Sequence, residues 1–374
     1  MKIFDQLAKQ FEKDHPNVKV SLEMIPGSSY NEKLQVQFAS GTAPDVITIA
    51  PQYWPDYVRA GLLENLEPYI QKDDMFKGGD PIVSTLWKTS TYNRDRYGIP
   101  GYFATQVFYY NKTLFKKAGL ATPNDHLARG DWTWKTMADL AKKLTVKDAR
   151  DVVSQYGFRM AFAWWGSYMP DLWMNGAAFL GEDKGSDWSR STLNTKAVAE
   201  VFESYLELID AKVAPNPIIL STGDAPVGFE TGRVAMSWDG DWWIGAYAQQ
   251  KALDWDLAPL PSRKTRMSVL YTDSYNINKR SKHKKEAWEF LKLVAMSEEG
   301  QLTVGNAGLR GPSLRKLVFD PGLQKKWVNP AIYPEHYLPV IQENLTNSDT
   351  PPYRTKWSRI ETEALTPTLQ KRCS

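Results

Sequence analysis

The sequence predicts an α/β protein of two lobes, on three observations. Its 374 residues exceed what one ordinary hydrophobic core fills and suit two. Over the first third of the chain, short β-rich runs alternate with helical stretches, the pattern of a sheet with helices packed on it. Two extended stretches, 109–112 and 259–264, read as crossings, so that the chain leaves one lobe, builds a second and returns. The cleft between lobes joined in this way is the expected ligand site.

The elements follow in order. Ile3, Phe4, Leu7 and Phe11 share one helical face, with no capping residue before them. VKVSLEMI (18–25) alternates like a strand, and a helix over 30–39 is closed by Gly41. PDVITIA (44–50) is a short apolar run of the kind buried in a parallel sheet. Residues 53–70 read as broken helix turning at Gly61, and 97–111 as two β segments. The helix over 133–145 takes Thr133 or Asp131 as its cap. In 195–211, Val198, Val201, Phe202, Tyr205, Leu208 and Ile209 form one apolar stripe. Residues 229–250 read as turn, strand, loop and helix, and 255–261 as a strand ended by prolines. The β pattern resumes over 268–278, and 284–296 is an amphipathic helix.

Composition narrows the function. The 46 basic and 43 acidic residues nearly balance, which argues against a nucleic-acid partner. No run approaches the roughly 20 apolar residues that span a membrane. Cys373 is the one cysteine and the four histidines show no ligand spacing, so no cysteine- or histidine-based metal site is expected, while a site of carboxylates alone stays open with no motif behind it. Fifteen tryptophans against 14 phenylalanines is the oddity, and it leans towards flat ligands, sugars above all.

SWDGDWW (237–243) concentrates that signal. A sugar ring has an apolar C–H face and a rim of hydroxyls, so it needs an aromatic plane beside planar hydrogen-bonding groups. Asp239 and Asp241 supply the groups. A turn at Gly240 sets Trp242 at a helix start as the platform, with Trp238 and Trp243 read as core. Trp164 and Trp165 in FAWWGSYMPDLWMNGA (162–177) form a second aromatic cluster, and Trp357 in RTKWSRIETEAL (354–365) a third.

Five blocks in order carry a family resemblance: FEKDHPNVKVSLEMI, GTAPDVITIAPQYWPDYVRAGLLENLEPYI, YGIPGYFATQVFYYNKTLFKKAGL, FETGRVAMSWDGDWW and KKEAWEFLKLVAMSEEGQ. Together they resemble the extracellular solute-binding proteins of bacterial carbohydrate ABC importers, the maltose-binding-protein-like group. The resemblance implies a type II periplasmic-binding-protein-like fold, with lobes at 1–108 plus 264–311 and at 109–263 plus 312–374. It implies a monomer outside the cytoplasm, periplasmic or lipid-anchored, that binds a carbohydrate and docks on ABC permease subunits, with no cofactor. It aligns Trp242 with a sugar-stacking position and Trp357 with a ring that caps the sugar, and sets Arg354 within reach of hydroxyls or a uronate carboxylate. Asp273 and Ser274 are expected where the chain re-enters the first lobe, and Arg310 on a cleft-facing turn. Gln52 and Tyr53 stand where the maltose pattern has a charged pair, which argues against maltose. Family members open with a signal or lipoprotein segment and a strand before the first helix. Neither is read here, so one binding loop is expected to be missing, and the last helix to be cut short.

The rival reading is a glycosidase using Asp239, Asp241 or Glu230 as its carboxylate pair. No carboxylate stands out as a buried acid, and the block order favours a binder over both an enzyme and a structural protein. Three further patterns are set aside. Tyr109–Tyr110 has no nearby histidine or carboxylate cluster in sequence to make a ferric site. DGD (239–241) lacks the later oxygen ligands of a calcium loop. NKRSKHKK (278–285) reads as a solvated turn before a helix.

Overall fold

A computed structural model describes residues 2–160, 165–178, 192–216, 228–306 and 310–365. The chain forms two compact units, the first of Met1–Ala104, Tyr271–Asn329 and Tyr353–Ser358, the second of Thr105–Leu270, Pro330–Pro352 and Arg359–Ser374. The passages between units lie at 104/105 and 270/271, so 109–112 and 259–264 fall inside the second unit. Residues 312–329 and 353–358 group with the first unit, where the sequence had placed them with the second.

In the first unit, Val46–Ile49, Ser274–Ile277 and Ile99–Pro100 form a sheet with Ser274–Ile277 in the middle. Both pairings are antiparallel, with Val46 opposite Ile277 and Ile49 opposite Ser274, which corrects the parallel neighbour expected for VITI. The predicted helix 30–39 forms as Gly27–Ser40 and ends on Gly41 in the left-handed conformation (φ 76°), which a glycine adopts without steric cost. It packs Leu34 and Phe38 on Ile47, Ile49, Trp54 and Tyr57. Gly61 (φ 68°) turns the chain between Trp54–Arg59 and Glu67–Ile70, as read. Residues 18–25 do not form the expected strand. The Val20 N–H goes to the Glu12 carboxylate (2.8 Å), so a side chain takes the place of a ladder partner. The helix read over 284–296 is α-helical only at Lys284–Leu291 and widens to a π turn over Lys292–Met296.

In the second unit, Val234–Gly240 lies between Tyr102–Asn111, to which it is antiparallel, and Val153–Met160, to which it is parallel. Trp255–Ala258 pairs antiparallel with residues 108–111. Every residue of Val234–Gly240 is buried, as expected for a strand covered on both faces. Its core is aromatic: Phe108 lies 5.9 Å from Phe158 and 5.1 Å from Trp132 between ring centroids. The helices Trp134–Leu144, capped by Thr133, and Lys196–Asp210, capped by Thr195, add Met137, Leu140, Val201 and Tyr205 to that core.

A buried ion pair fixes part of this unit. Asp171 is fully buried and accepts from Arg263 through Nε (2.5 Å) and Nη2 (2.8 Å) and from the Tyr205 hydroxyl (2.9 Å). The Arg263 guanidinium lies 4.1 Å from the Trp134 ring centroid. Removing one partner of such a pair leaves the other charge buried and uncompensated. Asp171→Ala is therefore expected to cost roughly 3–5 kcal/mol in chemical denaturation, and a loss below about 1 kcal/mol would contradict this reading.

Candidate functional site

Besides the Asp171–Arg263 pair, each unit carries a constellation of carboxylate, arginine and aromatic side chains near a strand end, and each is described by itself. In the second unit it sits where Val234–Gly240 ends. Asp239 is 4% exposed. Its Oδ1 accepts from the Gly240 N–H (2.8 Å), its Oδ2 lies 3.4 Å from Arg159 Nη1, and the Trp243 side chain also hydrogen-bonds to it. Burial is the largest influence and pushes this carboxyl above the ordinary aspartate range, with Gly240, Arg159 and Trp243 opposing it. Asp241 is also buried, and its Oδ1 accepts from the Thr105 N–H (3.1 Å). Tyr333 and Tyr337 lie near enough that Asp241 adds to the upward shift that burial gives their phenols. Their rings are 4.4 Å apart.

The strand end is held from beneath. The Tyr109 hydroxyl donates to the Gly240 carbonyl (2.8 Å), and Trp238 Nε1 donates to Gln106 Oε1 (2.6 Å). Gly240 is required by Trp242, because a Cβ there would come within 2.1–2.2 Å of the outer edge of the indole. Trp242 is thus half-buried and packed back on the strand end. The expectation for the triplet is met at Trp238, which is core, and corrected at Trp243, which is 42% exposed and stacked on Tyr247 (6.1 Å, 14°).

In the first unit, Asp273 accepts a short hydrogen bond from the Tyr102 hydroxyl. Arg310 lies over the Tyr102 ring, 5.4 Å from its centroid. Burial raises the Asp273 carboxyl above its ordinary range, against the Tyr102 hydrogen bond and the Arg310 charge. Ser274 is buried and its hydroxyl faces Asn276 Oδ1 (3.2 Å). Gln52 and Tyr53 are half-buried at the turn after Val46–Ile49, and Tyr53 stands at the N-cap position of the helix Trp54–Arg59 without a capping bond from its side chain. Trp357 is fully buried with its ring 5.5 Å from Tyr353, and it belongs to the first unit rather than the second. Arg354 is exposed, and its Nη1 donates to the Tyr353 carbonyl (2.9 Å). Trp164 lies outside the described residues, as does the Trp165 side chain.

Sequence reading missed Arg159, Tyr102, Tyr333 and Gln106. Arg159 and Gln106 sit within strands, where alternation marks the face but not the partner, and Tyr333 comes close to Asp241 only through the fold. The fold brings one histidine to carboxylates that its spacing in the sequence does not show. His336 Nδ1 is 2.6 Å from Asp256 Oδ2, and with Glu335 these form a group whose potential metal-ligand atoms lie within 4.8 Å. The Tyr110 hydroxyl is 3.4 Å from the same Oδ2, so the tyrosine pair does have a carboxylate and a histidine beside it. Asp256 already accepts from the N–H groups of Leu257 and His336 on Oδ1 and faces Tyr110 and the His336 ring on Oδ2, which fills its lone-pair capacity.

The raised carboxyl of Asp239 has a definite sign. A folded-state pKa above the unfolded value favours the native state at low pH, and that contribution is lost as pH rises from about 3.9 through the raised value. NMR titration of Asp239 is expected to show a midpoint above about 3.9. A midpoint at or below it would mean that the Gly240 hydrogen bond and the Arg159 charge together outweigh burial.

The family model described as bacterial extracellular solute-binding protein matches residues 1–301. The galactooligosaccharide-binding protein of Bacillus subtilis is 26% identical over 328 residues, covering 84% of this chain and 70% of that protein. An ABC substrate-binding protein from Listeria monocytogenes, solved in complex with cycloalternan, superposes with a TM-score of 0.81 at 27% identity, over 100% of this chain and 91% of that one. The sugar-binding protein MalE from Xanthomonas citri has the same fold (TM-score 0.81, 20% identity, 100% and 89% coverage). The fold is the two-lobe α/β fold of these binding proteins, and the chain belongs to the bacterial extracellular solute-binding protein family.

Proposed function

We propose that this protein binds a sugar or oligosaccharide outside the cytoplasm and delivers it to an ABC permease. The observation that carries the reading is the chemistry repeated in each unit. Asp239 with Arg159 and the Trp242–Trp243 pair, and Asp273 with Tyr102 and Arg310, each set a planar acceptor and a cation beside aromatic rings. That combination matches the hydroxyl rim and C–H face of a sugar. The matched family is one of solute binding, and relatives carry names such as galactooligosaccharide-binding protein and erythritol/L-threitol-binding protein.

Binding without turnover is part of the proposal. That part rests on the matched family, which is one of solute binding, and not on the carboxylates: Asp239 is buried with its carboxyl raised, as a general acid's would be, which corrects the expectation that none stands out as a buried acid. Thermal-shift screening against oligosaccharides identifies the ligand, because a ligand that binds only the native state raises the melting temperature. Product analysis after incubation is expected to find that ligand intact, and cleaved sugar would refute the binder. If one ligand engages the groups of both units, small-angle scattering is expected to show compaction on binding.

Trp242 and Trp243 separate a platform from a structural ring. Trp242→Ala is expected to weaken ligand affinity by ~1.5 kcal/mol or more, the range of binding hot spots, with the unfolding midpoint little changed. Unaltered affinity in Trp242→Ala together with a loss in Trp243→Ala would move the platform to the more exposed ring.

A further inference from the structure

We propose that the basic turn after Ser274–Ile277 in the first unit is a binding site for a phosphate group. Lys279, Arg280, Lys282, His283 and Lys285 are all exposed there. Lys284 is neutralised by Glu64 (2.9 Å), whereas among the described residues no carboxylate pairs with Lys279, Arg280, Lys282 or Lys285. So many like charges in so short a stretch repel one another, and an anion held among them offsets that cost.

The turn borders a built hollow of about 230 Å³, lined by Asp45, Asn278, Arg280, Ser281, Lys282 and His283 with the end of the helix Gly27–Ser40. Its frame is fixed: the Arg280 N–H donates to Asn278 Oδ1 (3.0 Å), the His283 N–H to Ser281 Oγ (3.0 Å), and Asn278 Nδ2 to the Ala43 carbonyl (3.1 Å). Asp45 is the one acidic group on the wall, and it accepts the Ser281 hydroxyl (2.6 Å). The remaining chemistry is a guanidinium fork and an ammonium on a rigid backbone. That suits the several acceptor oxygens of a phosphate, since arginine binds them in pairs and lysine as a point charge. The site is separate from the sugar-binding groups. It lies where Val46 faces Ile277, whereas Gln52 and Asp273 follow and precede the opposite end, where Ile49 faces Ser274.

The phosphate could belong to a free anion or to a lipid headgroup, and two probes on the full chain at low ionic strength distinguish them. Inorganic phosphate is titrated by calorimetry, and vesicles of phosphatidylcholine with and without 30% phosphatidylglycerol are tested by co-sedimentation. Wild-type protein is expected to bind, and Arg280→Gln combined with Lys282→Gln to bind at least tenfold more weakly. Lys142→Gln with Lys143→Gln, exposed in the second unit, removes the same charge elsewhere and is expected to bind like wild type. Phosphate binding alone assigns a free anion, and retention on anionic vesicles assigns a headgroup. Binding to neither probe, or equal loss in both double variants, overturns the proposal. An unchanged unfolding midpoint in the turn variant shows that the fold is kept.

Discussion

A carboxylate taken out of water must find donors before it can serve a ligand, and both constellations are built around that constraint. An uncompensated buried charge costs several kcal/mol, enough to consume much of a domain's net stability. Asp239, Asp241 and Asp273 meet it in the same way, with a backbone N–H or phenol supplying the closest hydrogen bond. Asp239 and Asp273 each also have a cation nearby, Arg159 at 3.4 Å from Asp239 and Arg310 over the Tyr102 ring beside Asp273. A hydroxyl can accept from a guanidinium and donate to a carboxylate set side by side in this way. A tight bidentate pair like Asp171–Arg263 satisfies itself and has little to offer a ligand.

Below the second-unit constellation the support is a polar network, in a place where an apolar core would be simpler. Gln106 is fully buried, accepts from Trp238 Nε1, donates to the Gly166 carbonyl, and takes Ser268 Oγ and Asn344 Nδ2 on its own carbonyl. Each of these groups would cost about 1–3 kcal/mol if left unpaired, so the network has one arrangement that satisfies it. It ties the strand Val234–Gly240 to residues 268 and 344, far apart in sequence. The end of that strand, carrying Asp239 and Trp242, is thereby set on a rigid base, and rigidity before binding lowers the ordering cost of binding.

The helices were legible because their signals are local. Thr133 and Gly41 cap where the sequence places caps, and the stripe of 195–211 is buried at Val198, Val201, Tyr205 and Leu208. Strand partners were less legible, since VITI has the same composition whether its neighbour runs parallel or antiparallel. Asp239, Asp241 and Trp242, which motif and chemistry both mark, do fall together where the strand Val234–Gly240 ends. It was misread where burial decides: Trp243 and Trp238 are identical letters five positions apart, yet one is solvent-facing and the other core. Arg159 and Tyr102 escaped because nothing in their neighbours along the chain announces the carboxylate each meets in the fold.

The direction of one strand also decides the electrostatics of the first unit. Because Ser274–Ile277 runs antiparallel to Val46–Ile49, the chain leaves Ile277 beside Asp45 and enters Ser274 beside Ile49. Had the pairing been parallel, the cations of 279–285 would emerge next to Gln52 and Tyr53. There they would repel Arg310 and draw anions to the ligand groups. Antiparallel pairing instead separates the two by the length of the strands, about 10 Å for four residues. That is slightly more than a Debye length at physiological ionic strength, about 8 Å, so exposed charges at one end act only weakly at the other. The field of the basic turn therefore reaches Asp273 and Arg310 only weakly, and the two ends of the sheet keep separate electrostatic characters.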